Sequence, residues 1–244
     1  MPFTFSHAAA ALPLFRTSLS KSALIIGTMV PDLPIFTSFG LYNFSHSLSG
    51  LVLYNLPIGV LVWLLWTYIL RPATSELCPG PLRAPLFSKL TTPSYFLILL
   101  SLLIGSATHQ LWDGFTHRSA FGVSLFPGLL EVVAGYPLYS WLQFFSSVFG
   151  LCALAWWVVK KWDRKQSFKP EWIFRILSVT LTTVTLAVCY AIEVRRLNSG
   201  IVYLYGVVIT STKIIVFTYI AAVFLYYLLN WLRQKKGKNS LHMS

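Results

Sequence analysis

Long uncharged apolar runs dominate the chain and predict helices that cross a membrane. A bilayer core of about 30 Å takes about 20 apolar residues in a helix, because each backbone amide must be satisfied within the segment. Five stretches reach or approach this length. They run from Ser47 to Leu70, from about Pro93 to Trp112, from Val132 to Val159, from Ile176 to Ile192, and from about Thr212 to Leu232, the last within a longer run that contains Lys213.

The first 45 residues follow a different pattern. Two apolar pieces, from His7 to Phe15 and from Ser22 to Val30, are separated by the polar residues 16–21. At about 1.5 Å per residue each piece spans roughly 14 Å, about half a bilayer. A re-entrant helical hairpin packed against the other helices is therefore favoured over a spanning pair. The predicted fold class is all-α: a polytopic membrane helical bundle of about five spanning helices plus an N-terminal re-entrant hairpin.

Composition and charge exclude a water-soluble globule. Of the 244 residues 56% are apolar and only 11% are charged, against about 25% charged in a soluble domain. The net charge is +12, but the basic residues lie between the apolar runs, which is typical of membrane topology and not of nucleic-acid binding. The expected partner is membrane lipid, and no nucleic acid is expected.

The basic residues also predict an orientation. Thirteen of them fall in residues 71–89, 160–175 and 233–238, which the five spans place on one side, and three, Arg118, Arg195 and Arg196, fall on the other. The side rich in Lys and Arg is expected to be cytoplasmic. Residues 1–160 then form one domain, with the hairpin and three spans, and residues 161–244 add two further spans and a basic cytoplasmic tail. Residues 72–91 are predicted to be a proline-rich linker, and residues from about Gln234 onward an unstructured tail.

Six ionisable residues stand at or inside the apolar segments of the first half. On the predicted topology all of them lie at the non-cytoplasmic face, and imidazole and carboxylate are the usual ligands of zinc and related ions. Alone, an interfacial His is more often a structural residue, but six in a chain so poor in charge favour a metal site. The candidate metal ligands are His7, Asp32, His46, His109, Asp113 and His117.

The segment HQLWDGFTH carries the most informative spacing. His109, Asp113 and His117 stand four residues apart, and positions four apart share a helix face. His109 and Asp113 can therefore chelate one ion while Asp113 and His117 face another, which makes Asp113 the natural bridge of a two-metal site. If the helix breaks at Gly114, His117 instead arrives from a loop.

Two further patterns support the grouping. The tripeptide FSH occurs at residues 5–7 and 44–46, each time before an apolar run. Because Ser is a favoured N-cap, His7 and His46 are each predicted in the first turn of a helix. Asp32 lies between two prolines, which favour a fixed non-helical turn.

Other polar residues leave two interpretations open. Glu131 lies on the same side and is either a ligand or general base, or a solvated loop acid. Arg118 contacts a phosphate oxygen, or it is a solvated interfacial residue. Gln143, Ser146 and Ser147 lie near the same face, and they support the ligands from a second layer or bond to neighbouring helices.

At these residues the chain resembles a bacterial family of predicted membrane-bound metal-dependent hydrolases of unassigned function. The resemblance covers about residues 1–160 and is carried by MPFTFSHAAAALPL, IIGTMVPDLPIF, HSLSGLVLYNLPIG, HQLWDGFTH and PLYSWLQFFSSVFG. It implies a multi-pass protein of the bacterial inner (plasma) membrane. More distantly, the ligand order is similar to that of zinc-dependent phospholipase C, which implies one ion on Asp32, His46, His109 and Asp113 and a second on His7 and Asp113. No later HxxxE pair for a third zinc is present.

The sequence therefore predicts a metal-dependent hydrolase with one or two divalent ions, zinc first among them, acting on a phosphoester in a lipid or lipid-linked substrate. Two ions on Asp113 would activate a water. Asp32, or otherwise Glu131, would orient that water, and Arg118 would contact the phosphate. A metal or small-solute transporter and a non-catalytic protein with a structural metal remain as alternatives. The sequence does not define the oligomeric state.

Overall fold

A computed structural model describes residues 4–36, 40–87, 94–163 and 201–241. These residues are almost entirely helical, apart from one short hairpin. Three 3₁₀ helices cover Thr4–Arg16, Val30–Phe36 and Pro127–Leu130. The remaining elements are α1 (Lys21–Gly27), α2 (Tyr42–Ser45), α3 (Leu48–Leu77), α4 (Gly80–Phe87), α5 (Tyr95–Thr116), α6 (Phe121–Leu125), β1 (Val132–Val133), β2 (Tyr136–Pro137), α7 (Leu138–Lys161) and α8 (Ile201–Leu241).

Four of the described helices are long and apolar enough to cross a membrane. They are α3, α5, α7 and the part of α8 from Thr212 to Leu232, which confirms the polytopic all-α prediction. The predicted span from Ile176 to Ile192 lies outside the described residues. The third span begins at Leu138 and not at Val132, because residues 132–137 form the antiparallel hairpin β1–β2. Its two turn residues, Ala134 and Gly135, both have positive φ, as the tight turns of such hairpins require.

Helix α3 continues past its predicted end at Leu70. Two π-helical turns, Leu51–Asn55 and Trp66–Leu70, interrupt it, and each stands just before a proline, Pro57 or Pro72. A proline removes one backbone donor and its ring crowds the preceding turn, so a widened turn lets the helix continue. The linker prediction for residues 72–91 is accordingly wrong for residues 72–77 and for α4, which are helical.

The N-terminal segment forms two short helical pieces joined by residues 17–20, as predicted, and neither is among the candidate spans. The second piece, α1, packs closely on α5. A Cβ on Gly27 would lie 2.4 Å from the Leu102 carbonyl oxygen, and one on Gly105 2.4 Å from the Leu24 oxygen. Small residues thus let the two backbones meet, and Ser106 Oγ donates to the Gly27 oxygen at 3.0 Å.

Helix α7 supports the first 3₁₀ helix. A Cβ on Gly150 would lie 2.7 Å from the Ser6 carbonyl oxygen, so the two backbones touch one residue before His7. This contact places the N-terminal segment between α5, through α1, and α7.

The chain divides into two compact units, residues 1–66 with 89–162 and residues 67–88 with 163–244. All six candidate ligands belong to the first unit. In the second, the Thr74 hydroxyl bonds to the Tyr219 hydroxyl, and Tyr227 Oη donates to the Ile69 oxygen at 2.9 Å. Helix α8 extends to Leu241, so the prediction of an unstructured tail from Gln234 is wrong as far as residue 241.

Candidate metal centre

Four predicted ligands from three separate parts of the chain converge in the first unit. Asp32 lies in the second 3₁₀ helix, His46 directly follows α2, and His109 and Asp113 stand one turn apart on α5. One ligand atom of each residue lies within 4.8 Å of the other three. We call Asp32, His46, His109 and Asp113 the four-ligand cluster.

The distances within the four-ligand cluster suit a tetrahedral ion. The two histidine Nε2 atoms are 3.3 Å apart. Each also lies 3.3–3.7 Å from Asp32 Oδ1 and Asp113 Oδ2. Zinc bonds of about 2.0–2.1 Å in a tetrahedron place neighbouring ligand atoms about 3.3 Å apart. The side chains therefore need only small shifts to bind one ion.

Hydrogen bonds fix the tautomer of both imidazoles. His109 Nδ1 is 2.8 Å from the Thr28 carbonyl oxygen, and His46 Nδ1 is 3.0 Å from the Tyr42 carbonyl oxygen. Because a carbonyl only accepts, each Nδ1 carries a proton, and in the neutral tautomer of each ring the Nε2 lone pair is turned to the centre. Two lone pairs at 3.3 Å cannot bond to each other, so a cation between them is the natural partner.

The two carboxylates show the same need for a cation. Asp32 Oδ1 and Asp113 Oδ2 are buried and have no hydrogen-bond partner among the described residues. The other oxygen of Asp32, Oδ2, accepts from Thr4 Oγ1 at 2.7 Å. Burial raises the pKa of the Asp32 carboxyl, although the nearby His109 opposes the rise. A divalent ion would stabilise this buried carboxylate, so the donor set fits such an ion.

His7 lies on the other side of Asp113. Its ring stacks on that of His109 with centroids 3.8 Å apart, and its Nε2 is 3.4 Å from Asp113 Oδ1, the oxygen that faces away from the four-ligand cluster. This Nε2 is buried and has no hydrogen-bond partner in the part of the chain that the structure describes. Burial, and then the neighbouring His109, lowers the pKa of His7 to about 3, so the imidazole is neutral at physiological pH and can bind a metal.

His117 is not a member of the four-ligand cluster. Helix α5 does not break at Gly114; it continues to Thr116, and His117 is the extended residue that caps it. His117 Nδ1 donates to the Asp113 carbonyl oxygen at 3.1 Å, which leaves its Nε2 as a buried acceptor without a partner among the described residues. Burial lowers the pKa of His117, and the nearby Asp113 raises it less.

The N-cap prediction for the two FSH tripeptides is wrong. Ser6 lies inside a 3₁₀ helix that already begins at Thr4. His46 follows the short helix α2, and the cap of α3 is Ser47, whose Oγ accepts from the Gly50 N–H at 2.9 Å. Both histidines still reach the site, because the buried Ser6 and Ser45 anchor the segments that carry them.

Arg118 and Glu131 lie outside the four-ligand cluster, and both side chains are exposed. Ser146 Oγ accepts from Trp112 Nε1 at 3.2 Å, and the hydroxyls of Ser146 and Ser147 donate to the Gln143 carbonyl oxygen. These bonds correspond to the structural interpretation of the two serines, since they join α7 to itself and to α5.

Access to the site is one-sided. The side chains of His7, Asp32, His109 and Asp113 are at most 5% exposed, whereas that of His46 is 15% and that of His117 26% exposed. A small molecule would therefore approach along the edge that His46 and His117 form.

Sequence reasoning missed the residues that hold the ligands. Thr4 and the Thr28 carbonyl orient Asp32 and His109, and Ser45, Asn55 and Gln110 hold the turn of His46. Asn55 was the one with a clear signal, because a polar residue inside an apolar span is costly. The others depend on contacts between distant parts of the chain, most of them to backbone carbonyls, that no sequence pattern marks.

Comparison with known proteins shows a family for this chain. No curated protein and no solved structure matches the chain, and no similarity to phospholipase C or to another hydrolase is shown. A family model described as a domain of unknown function matches residues 1–231. Since the match covers most of the chain, this protein belongs to the DUF4184 family.

Proposed function

We propose that this protein is a membrane-embedded metal-dependent hydrolase that cleaves phosphoesters in lipid or lipid-linked substrates. The observation that carries the proposal is the convergence of bare imidazole nitrogens and unpartnered carboxylate oxygens at 3.3–3.7 Å in a buried site. Zinc is the divalent ion that this donor set and spacing suit best.

Two ion positions with different roles follow from the donor atoms. The four-ligand cluster would supply four protein ligands to one ion, the number typical of a structural zinc. Asp113 Oδ1 and His7 Nε2 supply only two ligands for a second ion, which leaves coordination positions free for water and substrate. Asp113 would then bridge the two ions through its two oxygens, and the second position would be the catalytic one.

An ion at the second position supplies a water of lowered pKa and positive charge for a phosphoryl oxygen. His117 is the candidate base for that water. Its Nδ1 proton is held by the Asp113 carbonyl, its Nε2 has no hydrogen-bond partner among the described residues, and its side chain is 26% exposed. Asp32 suits a ligand better than a base, since Thr4 occupies one of its oxygens and the other faces the two Nε2 atoms.

Apolar side chains beside the accessible edge favour an amphiphilic substrate. Phe44 and Leu48 flank His46 and are exposed, Leu48 by 86%. The exposed Phe121 packs over Gly114, next to Asp113. With the basic residues on the cytoplasmic side, the site would open at the extracytoplasmic face of the bacterial inner membrane, where a head group can reach the ions while acyl chains stay in lipid.

A structural metal is the second candidate function. It is favoured by the number of ligands in the four-ligand cluster, which joins the second 3₁₀ helix, the turn after α2, and α5. In that case the protein would retain zinc and fold around it without turnover.

Metal analysis and a hydrolysis screen test the proposal. The full chain is purified in detergent, zinc is quantified, and bis-p-nitrophenyl phosphate and phospholipid vesicles are offered as substrates. Wild type should retain zinc and hydrolyse at least one phosphodiester, Asp113→Asn should lose both properties, and Glu76→Gln, which removes an exposed charge outside the site, should keep both. Zinc without any turnover would support the structural role, and no zinc in wild type would reject both candidates.

A further inference from the structure

One peptide group beside His46 is held by two spanning helices. The carbonyl oxygen of Ser45 accepts from Asn55 Nδ2 of α3 at 2.8 Å and from Gln110 Nε2 of α5 at 2.8 Å. Ser45 directly precedes His46, so this peptide plane sets where the backbone of His46 begins. Gln110 also follows His109 on α5, and one helical turn therefore carries both a ligand and a support for another ligand.

The hydroxyl of Ser45 extends the connection to a third ligand. Ser45 Oγ donates to the Pro31 carbonyl oxygen at 2.7 Å, sharing its proton with the Tyr42 oxygen at 2.8 Å. Pro31 directly precedes Asp32, and the Tyr42 oxygen is also the acceptor for His46 Nδ1. Ser45, which is fully buried, thus joins the turn of Asp32 to the turn of His46.

The burial of Asn55 is hard to explain by stability alone. Its side chain is fully buried, and its Oδ1 has no hydrogen-bond partner among the described residues, an arrangement that costs free energy in an apolar span. Asn55 ends the π-helical turn Leu51–Asn55, and single π-turns are frequent at functional sites. A functional role for the hydrogen bond from Asn55 to the Ser45 carbonyl would account for both the burial of this amide and the π-turn.

We propose that Asn55 and Gln110 act as an amide clamp on the Ser45 carbonyl, which positions His46 Nε2 and thereby sets the metal affinity and geometry of the four-ligand cluster. They are positioning residues, because neither donates to a ligand side chain. This inference rests on the proposed metal centre. Its consequence is that metal binding depends on how α3 and α5 are held together.

Metal titrations of near-isosteric variants test the clamp. Asn55→Leu and Gln110→Met remove the donors, and zinc affinity is measured on the purified full chain by competition with a chromophoric chelator. Loss of an outer partner of a ligand typically weakens metal affinity about 10–100-fold, and each variant should fall in this range. The double variant should lose less than the product of the two single losses, because both amides hold the same oxygen.

A spectroscopic readout and a control separate positioning from general stability. With Co²⁺ in place of zinc, the variants should change the visible absorption of the tetrahedral ion, since His46 shifts. Ser101→Ala is the matched control. It removes a buried hydroxyl of α5 that accepts from the Ser20 N–H at 2.9 Å. This hydrogen bond also joins two helical segments, but neither of its residues is next to a candidate ligand. It should lower thermal stability and leave both metal readouts unchanged.

Three results would overturn the clamp. Wild-type affinity and an unchanged Co²⁺ spectrum in folded Asn55→Leu and Gln110→Met would reject it while the metal centre stands. An equal loss of affinity in Ser101→Ala would make the effect one of general stability. Failure of wild type to bind either metal would reject the proposed centre itself. Should Asn55→Leu not fold, the half-buried Gln110 decides the question through Gln110→Met.

Discussion

Helices α5 and α7 span a membrane side by side in one unit, yet they use their residues in opposite ways. In an apolar stretch of 18 residues from each helix, 33% of the stretch is buried in α5 but only 6% in α7. Ser101, Gly105, His109 and Asp113 stand four residues apart on α5, and all are buried. On α7 the only buried residue is Gly150, and large side chains such as Phe149, 75% exposed, face outward.

The comparison shows that apolar length alone does not reveal what a spanning helix does. Helix α5 contributes side chains to the site, and its small and polar residues form one buried stripe. Helix α7 contributes backbone, through the close approach of Gly150 to Ser6, and its large apolar side chains are exposed. The two helices should therefore respond very differently to substitution.

Asp113→Asn on α5 should give the largest effect. The variant removes the carboxylate that faces both histidines of the four-ligand cluster and His7. Zinc affinity should fall by more than about 100-fold, since even the loss of an outer partner costs 10–100-fold. Chelator competition measures the loss. Unchanged affinity would remove the basis for treating α5 as the ligand-bearing helix.

His7→Ala should separate the two ion positions. His7 contacts Asp113 Oδ1 and lies outside the four-ligand cluster, so the tightly held zinc should remain while a second equivalent and the phosphodiesterase activity are lost. Zinc per chain, counted by elemental analysis, and hydrolysis rates check this expectation. Should wild type hold one zinc that survives this substitution with full activity, the second position does not exist.

Gly150→Leu on α7 should act on the site indirectly. A side chain at Gly150 would push the Ser6 backbone and displace His7, so we expect the second zinc equivalent to be weakened and stability to fall by about 1–3 kcal/mol, as in other overpacked sites. Cys152→Leu enlarges an exposed neighbour on the same helix and is the matched control. Equal behaviour of the two variants would show that α7 does not support the N-terminal segment.

Phe149→Ser should give the smallest effect. The side chain is exposed and faces away from the protein, so zinc affinity should stay at the wild-type value and stability in detergent should change by no more than about 0.5 kcal/mol. Thermal unfolding and a zinc titration measure both quantities. A loss of zinc here would mean that α7 contributes side chains to the site after all.

The sequence allowed prediction of the fold class, and of which residues come together in the four-ligand cluster, better than of the local geometry. Long apolar runs located the spans, and the four-residue spacing of His109 and Asp113 placed them on one face. The same spacing continues back through Gly105 and Ser101, a signal that extends the buried stripe and that the His and Asp residues alone do not show. Four of the six candidate ligands do converge, as the four-ligand cluster, whereas His7 and His117 lie beside it.

Local errors arose where prolines and tertiary contacts determine the backbone. The π-turns before Pro57 and Pro72 accommodate these prolines, so α3 continues into the predicted linker. The turn after α2 places His46 after a helix and not in the first turn of one. The supporting bonds to the carbonyls of Thr28 and Ser45 join residues that are distant along the chain and meet only through packing. No local pattern encodes such bonds.

X-ray absorption at the zinc edge of the purified full chain tests the metal centre most directly. The four-ligand cluster predicts a first shell of nitrogen and oxygen at about 2.0 Å, without sulfur, together with outer-shell scattering from the imidazoles of His46 and His109. A decrease of that imidazole scattering in His109→Ala, to the part that His46 contributes, would complete the agreement. Zinc in a shell of six oxygens, with no imidazole signal in wild type, would contradict the account.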